Sequence, residues 1–168
     1  MTFCIIYIII SFLLDGLTSN YTEILLPISG YFKTIYTVIS LVIIFRYFES
    51  HKKYLIVAII TGMFFDIVYT NTLLINTFIF LIIYLVINAL EYRISNNLLT
   101  INIKSITAIF IYHTITFLLF HITNYHHFEL FVYGNVLIKS LIVTIIYTSI
   151  SYYIFDKYFY KKYSKKIR

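Results

Sequence analysis

The sequence predicts an all-α, polytopic membrane protein in which six transmembrane helices form a bundle. Three observations lead to this fold class. Of the 168 residues, 61% are hydrophobic and only 12% are charged, and a soluble domain of average composition carries about twice that charge. Six strongly apolar stretches follow one another along the chain. Eleven of the thirteen basic residues lie in alternate gaps between these stretches or in the C-terminal tail, which is typical of a protein with a fixed direction across the bilayer.

The apolar stretches define a single integral membrane domain over residues 1–168, because no segment between them is long enough for a separate soluble core. The first stretch is shorter than the roughly 20 residues that cross a bilayer, so we extend it through Asp15 to Leu17. Only Asn71 and Thr72 lie between the third and fourth spans, which predicts a tight helical hairpin. The predicted spans are residues 2–17, 33–48, 54–70, 73–90, 105–123 and 135–155, followed by a basic cytoplasmic tail over 156–168.

Basic residues determine the predicted orientation, because positively charged flanks remain in the cytoplasm. With both termini inside, Lys33 is the one basic residue of the outer segments, and Lys139 lies within the sixth span. We therefore expect a multi-pass protein of the cell membrane with cytoplasmic N- and C-termini. The cytoplasmic basic residues are then Arg46, Lys52, Lys53, Arg93, Lys104, Lys157, Lys161, Lys162, Lys165, Lys166 and Arg168.

An acidic residue lies in the third span, in the pattern Ala58-x-x-x-Gly62-x-x-x-Asp66. Four-residue spacing places these residues on one helix face, and two small residues allow another helix to approach closely. A carboxylate within a span is costly unless it faces protein or water. Three interpretations remain open for Asp66: a buried structural pair, solvation near the outer surface, and ligand or proton chemistry.

Two further polar residues accompany Asp66 at the outer side. Asp15-Gly16 closes the first span, where Asp15 is either an interfacial end cap or a neighbour of Asp66. Two close carboxylates could bind a cation or share a proton. Lys139 lies about one turn inside the outer end of the sixth span, so it either pairs with one of the acids or extends to the outer headgroups.

The sequence contains no catalytic motif: HExxH, GxSxG and phosphate-binding glycine loops are all absent. His126 and His127 are adjacent, beside Glu129, and this spacing matches no zinc signature. His113 and His121 lie on the fifth span, where we expect bonds to backbone or hydroxyl groups. We therefore expect no enzyme, no cofactor and no metal. The basic tail is typical of a juxtamembrane segment that contacts anionic lipid, and we expect no binding to nucleic acid.

The run Gly62-Met63-Phe64-Phe65-Asp66-Ile67-Val68-Tyr69-Thr70-Asn71-Thr72-Leu73 resembles the rod shape-determining protein MreD family of bacteria. That family carries a similar glycine, an aspartate four residues later, and Tyr-Thr at the turn into the next helix. Its first span tends to end in an acidic, polar stretch like Leu13-Leu14-Asp15-Gly16. The six-span layout, the length and the basic C-terminal tail are similar too. One departure is Leu74, near where members often place a glycine.

The resemblance implies a non-enzymatic scaffold of the bacterial cell-elongation (rod) complex, which links peptidoglycan synthesis to cytoplasmic filaments and maintains cell shape. It implies as partners the bitopic protein MreC, the actin-like MreB filament, the RodA glycosyltransferase and a class B penicillin-binding transpeptidase, all at the bacterial cell membrane. The candidate helix-packing or partner-binding residues are Ala58, Gly62, Asp66, Tyr69, Asp15 and Lys139.

Two alternatives use the same polar residues. The MreD family also resembles, in fold, the substrate-binding S components of energy-coupling-factor vitamin transporters. In an S component, Asp66, Asp15 and Lys139 would line a pocket for a small molecule taken from outside. A small ion or proton carrier built on the two acids is a further alternative.

Overall fold

The computed structural model is all-helical, with no strand among the residues it describes, which are 2–25, 35–48, 50–70, 72, 74–91, 97–123 and 130–164. A π-helical turn, Asp66–Thr70, continues the third helix. The helices are α1 (Thr2–Leu25), α2 (Tyr36–Phe45), α3 (His51–Phe65), α4 (Ile75–Glu91), α5 (Leu98–Ile122) and α6 (Leu130–Ser164).

Each predicted span overlaps one helix, and three helical segments are long and apolar enough to cross a membrane. These are His51–Thr70, Leu98–Ile122 and Tyr133–Tyr158. Shorter apolar helices cover Thr2–Thr18, Tyr36–Phe45 and Ile75–Glu91. This combination of lengths and composition is that of a helical membrane protein.

The largest differences between the helix bounds and the predicted spans are at three helix ends. Helix α1 does not end at Leu17 but continues to Leu25. Helix α5 begins at Leu98, about two turns before the predicted start of the fifth span. Helix α6 continues to Ser164, so the first nine residues of the predicted tail are helical. In all three cases the backbone remains helical beyond the predicted span, because an α-helix forms its hydrogen bonds within itself and needs no lipid around it to continue.

Helix α2 is the centre of the bundle. Every residue from Thr37 to Phe45 is buried, and the helix packs against α1, α5 and α6. Helix α3 also contacts α2: the Tyr54 hydroxyl of α3 donates a hydrogen bond to the Leu41 carbonyl of α2 at 2.8 Å. With ten residues, α2 is about 15 Å long, which is roughly half the thickness of the hydrocarbon layer.

Hydroxyl groups join α1 to α6 beside this central helix. The Tyr7 hydroxyl donates to the Ser151 Oγ at 2.6 Å, and the Ser11 Oγ and Tyr147 hydroxyl are 2.9 Å apart. Small hydroxyl residues permit close helix approach and interhelical hydrogen bonds within a membrane bundle. They explain why polar side chains are found among the buried residues of these two helices.

Aromatic contacts bring several helix termini to one end of the bundle. Phe3 of α1 packs edge-on against Phe155 of α6 with ring centroids 5.0 Å apart. Tyr47, just after α2, contacts Phe155 at 5.2 Å, and Phe45 contacts Tyr54 of α3 at 4.8 Å. The start of α1, the end of α2, the start of α3 and the C-terminal part of α6 therefore lie together.

Helices α4 and α5 complete this end. Tyr84 of α4 contacts Tyr54 with ring centroids 5.7 Å apart, and two turns later Glu91 forms an ion pair with Lys104 of α5 at 2.6 Å. Because basic residues gather here, we call it the basic end. Its exposed basic side chains in the described part of the chain are Arg46, Lys52, Lys53 and Lys157.

Candidate functional site

Asp66 closes the hairpin between α3 and α4 from within the bundle. It is the first residue of the π-helical turn, and its side chain is 2% exposed. Its Oδ1 accepts hydrogen bonds from the backbone N–H of Asn76 at 2.9 Å, from the side-chain amide of Asn76 at 3.0 Å and from the Thr72 hydroxyl at 2.8 Å. Its Oδ2 accepts from the N–H and the hydroxyl of Thr77, at 3.0 and 2.9 Å.

These bonds satisfy the N-terminus of α4. The first N–H groups of an α-helix have no acceptor within the helix, and α4 begins at Ile75, so Asn76 and Thr77 carry two such groups. In hydrocarbon an unsatisfied N–H costs several kcal/mol. The negative charge of the carboxylate also complements the positive end of the helix dipole. Asp66 therefore allows α4 to begin inside the bundle.

Asp15 does the same for α2. Its side chain is 0% exposed. Its Oδ1 accepts from the Tyr36 N–H at 2.7 Å, and its Oδ2 accepts from the Thr37 N–H at 2.9 Å and from the Thr37 hydroxyl. Because α1 continues past Asp15 to Leu25, Asp15 is not the end cap of its own helix. Asp15 caps the following helix instead of its own.

The small residues before Asp66 lie on the face of α3 that packs against α4. Ala58 is buried. At Gly62, an added Cβ would lie 2.6 Å from the Thr77 Cα and 3.1 Å from the Thr77 nitrogen. Glycine therefore lets the α4 backbone approach closely enough for Thr77 to reach Asp66.

Tyr69 joins the hairpin to α1 beside Asp15. Its hydroxyl donates to the Phe12 carbonyl, and its ring contacts the Phe12 ring with centroids 4.7 Å apart. An added Cβ at Gly16 would lie 2.8 Å from the Tyr69 hydroxyl oxygen. The glycine next to Asp15 thus leaves the space that the tyrosine occupies.

Asn76 extends the network from Asp66 to α5. The Tyr112 hydroxyl donates to the Asn76 Oδ1 at 2.6 Å, and the Asn76 amide donates to the Thr70 hydroxyl at 3.0 Å. Asn76, Thr77, Thr37 and Tyr112 are not among the site residues that the sequence predicts. For the first three, the sequence does contain a signal: each is a polar residue at the start of an apolar run, which is typical of a helix N-terminus.

Lys139 does not pair with either acid. Its side chain is exposed on α6, and within the described part of the chain the ion pair found is the one between Lys104 and Glu91. Lys104 is 2% exposed, so it points into the bundle although we expected it among the cytoplasmic flanking charges. Asp66 is buried, and among the described residues its carboxylate is paired with no cation; its partners are the N–H and hydroxyl donors of α4 and the hairpin.

The histidines take different positions. His113 is buried, and its Nε2 has no hydrogen-bond partner among the described residues. His121 is exposed and stacks on Phe117 with centroids 6.2 Å apart. The described residues contain no group of three or more His, Cys, Asp or Glu side chains that could hold a metal ion. Positions 33, 71, 73, 93, 126, 127, 129 and 165–168 lie outside the described residues.

No protein-family model matches this chain, and no curated protein or solved structure matches it either. Chemically, the site consists of two carboxylates that accept hydrogen bonds from N–H and hydroxyl groups of their own chain. Such an arrangement fixes helices relative to one another.

Proposed function

We propose that this protein is a non-enzymatic membrane scaffold of the bacterial cell-elongation complex, as the resemblance to the MreD family implies. One observation carries the proposal: the motif residues on which the resemblance depends all act in holding the hairpin. Gly62 contacts the α4 backbone, Asp66 caps α4, and Tyr69 binds α1. A motif used in this way is expected of a family defined by its fold and its packing surfaces.

The departure at Leu74 also supports the proposal. Leu74 has a φ of 62°, the left-handed conformation that glycine adopts without steric cost. Members of the MreD family often have glycine near this position. The backbone of the turn is therefore of the kind that a glycine would favour, although the residue is leucine.

A six-pass topology with both termini in the cytoplasm is part of this proposal. The start of α1 and the C-terminal part of α6 both lie at the basic end, where the exposed Lys52 and Lys157 lie. Positively charged flanks favour the cytoplasmic side. Because α1 runs away from the basic end and α3 begins at it, the chain crosses once between them despite the short length of α2.

The proposed partners are an MreC-like bitopic protein and, through it, MreB, RodA and a class B penicillin-binding protein. Within the bilayer, the exposed face of α3 is available to a single-span partner next to the capped hairpin. This face is formed by Ile56, Ile60, Met63, Phe64 and Ile67, all of which are largely exposed.

Crosslinking in cells tests the proposal. A photoreactive residue at Ile60 or Phe64, which are exposed, is expected to capture a bitopic membrane protein. The same residue at Phe65, which is buried, is the matched control and is expected to react within the chain. Depletion of the protein is expected to abolish rod shape, and re-expression to restore it.

Two results would contradict the proposal. Unchanged cell shape after complete depletion would exclude a role in elongation. Co-purification of a vitamin, or thermal stabilisation of the detergent-purified protein by a vitamin, would instead support the alternative function as a transporter S component.

A further inference from the structure

Helix α6 has an apolar face between Ile142 and Ile154 that is directed away from the other helices. The side chains on this face are about half exposed or more, which is expected of residues in contact with lipid chains. The face consists of Ile142, Ile146, Ile150, Tyr153 and Ile154.

Helix α6 does not stop where its apolar face stops. The membrane-length segment ends at Tyr158, whereas the helix continues to Ser164. The helical register therefore defines where positions 157, 161 and 162 lie relative to the apolar face. The Lys157 side chain is exposed.

The register separates the three lysines. Successive helical residues are about 100° apart, so positions 157 and 161 lie on the same side of α6 as Ile150 and Ile154. Position 162 lies two turns after Phe155, which is fully buried, and thus on the side of α6 that faces the bundle. Positions 157 and 161 continue the lipid-facing side of the helix, and position 162 does not.

We propose that Lys157 and Lys161 bind the headgroup of an anionic phospholipid whose acyl chains lie along Ile146, Ile150 and Ile154. In this proposal the hydrocarbon layer ends near Ile154, the last isoleucine of the exposed face. Position 157 is about 4.5 Å further along the helix axis, in the headgroup layer. Position 161 is one turn further along the same side of the helix, a separation that the length of a lysine side chain can span.

Two features fix this site in place. Tyr158 stacks on Phe3 with ring centroids 4.0 Å apart and ring planes 7° apart, so this part of α6 is held against the start of α1. The nearest acid along the helix is Asp156, which is exposed and adjacent to Lys157. Position 156 is about 100° around the helix from position 157, which leaves the face of Lys157 and Lys161 without a carboxylate of its own.

Lipid retention by the full-length protein tests the proposal. The protein is purified in detergent with equal amounts of phosphatidylglycerol and phosphatidylcholine, and bound lipid is measured by native mass spectrometry. Each of Lys157→Gln and Lys161→Gln is expected to lower the preference for phosphatidylglycerol about five-fold, and the double variant about 25-fold. Lys162→Gln is the matched control and is expected to leave the preference unchanged.

The remaining measurements decide between explanations. Thermal unfolding in phosphatidylcholine alone shows whether each variant is folded. If the variant with glutamine at both positions 157 and 161 does not fold, a variant with arginine at both positions is used instead. That arginine variant is expected to fold and to keep the wild-type preference for phosphatidylglycerol. The proposal is overturned if the folded double Gln variant prefers phosphatidylglycerol as strongly as the wild type does. It is also overturned if Lys162→Gln lowers this preference as much as Lys157→Gln or Lys161→Gln does. Displacement of the lipid by excess glycerol phosphate would also overturn it, because that result indicates a site for a soluble anion.

Discussion

Asp15 and Asp66 bind the N-termini of two different helices with the same arrangement of hydrogen bonds. In each case Oδ1 accepts a backbone N–H, and Oδ2 accepts both the N–H and the hydroxyl of the threonine that follows. The acid lies on the helix that precedes the capped one, α1 for α2 and α3 for α4. The first four helices therefore form two hairpins that are each closed by one carboxylate.

The charge of Asp66 is expected to contribute strongly to stability. Asp66→Asn removes the charge and places an N–H₂ group where an acceptor is required, and hydrogen bonds to a charged group contribute about 1.5–3 kcal/mol each. We expect the free energy of unfolding to fall by about 3 kcal/mol, measured by denaturant unfolding in detergent. Asp156→Asn, at an exposed acid of α6, is the control and should change it little. Equal effects of the two substitutions would refute the capping role.

The two threonines of the caps are expected to behave alike. Thr37→Val and Thr77→Val each remove a hydroxyl that donates to a carboxylate while keeping the side-chain shape, so each should cost about 1.5–3 kcal/mol. Thr107→Val is the control, because the Thr107 hydroxyl bonds only the Ile103 carbonyl of its own helix at an exposed site. Thermal unfolding of the three variants in one detergent makes the comparison. The idea of equivalent caps fails if only one of the two costs more than the control.

Adding a methyl group at Gly62 is expected to separate α3 from α4. Gly62→Ala places a Cβ against the Thr77 backbone, and overpacking of this kind costs about 1–3 kcal/mol. Gly134→Ala is the opposite case, since no atom lies within 4 Å of a Cβ there, and alanine is favoured over glycine in a helix by up to about 1 kcal/mol. The melting temperature should fall for the first variant and rise or stay unchanged for the second. A rise for Gly62→Ala would contradict the close approach of the two helices.

Replacing Leu74 by glycine is expected to increase the free energy of unfolding. A non-glycine residue in the left-handed conformation costs roughly 1–2 kcal/mol, and Leu74 is 55% exposed, so little packing is lost. Part of the gain is offset because glycine has more freedom in the unfolded chain, and we expect a net increase of about 0.5 kcal/mol in the free energy of unfolding. Ile75→Gly, at the next residue, should decrease it. If Leu74→Gly also decreases it, the turn is not strained by the leucine.

The position of the C-terminus tests the proposed orientation. One reporter, functional only in the cytoplasm, is fused after Arg168 and should be active. The reason is that the C-terminal part of α6 lies at the basic end, which the proposal places in the cytoplasm. A reporter that is active only outside the cell should be inactive in the same place. Activity of the external reporter alone would overturn the orientation and, with it, the assignment to the elongation complex.

Much of the helical layout can be predicted from the apolar stretches, because in lipid a run of apolar residues has few alternatives to a helix. The face shared by Ala58, Gly62 and Asp66 follows from four-residue spacing. The partner of Asp66 could not be predicted in this way. Helix periodicity identifies the face of a residue, but it does not reveal that the next helix begins inside the bundle with its N–H groups directed at that face.

The charged residues illustrate the same limit. Lys104 and Lys139 both flank or enter apolar stretches, and the sequence alone does not distinguish them. The structure places Lys104 inside against Glu91 and leaves Lys139 exposed. The difference arises from the neighbouring helix: α4 supplies an acid at the level of Lys104, whereas within the described residues no acid is paired with Lys139. Long-range pairing of this kind depends on which helices are adjacent, and composition and spacing do not specify that.

The burial of α2 from Thr37 to Phe45 has an evolutionary consequence. Because all nine of these residues are buried, another protein in the bilayer has almost no access to them, and natural selection acts on this segment mainly through its internal fit. Substitutions in α2 should therefore covary with the positions that contact it on α1, α3, α5 and α6, whichever protein binds the outside of the bundle. Among homologues that work with different partners, these internal positions should change together.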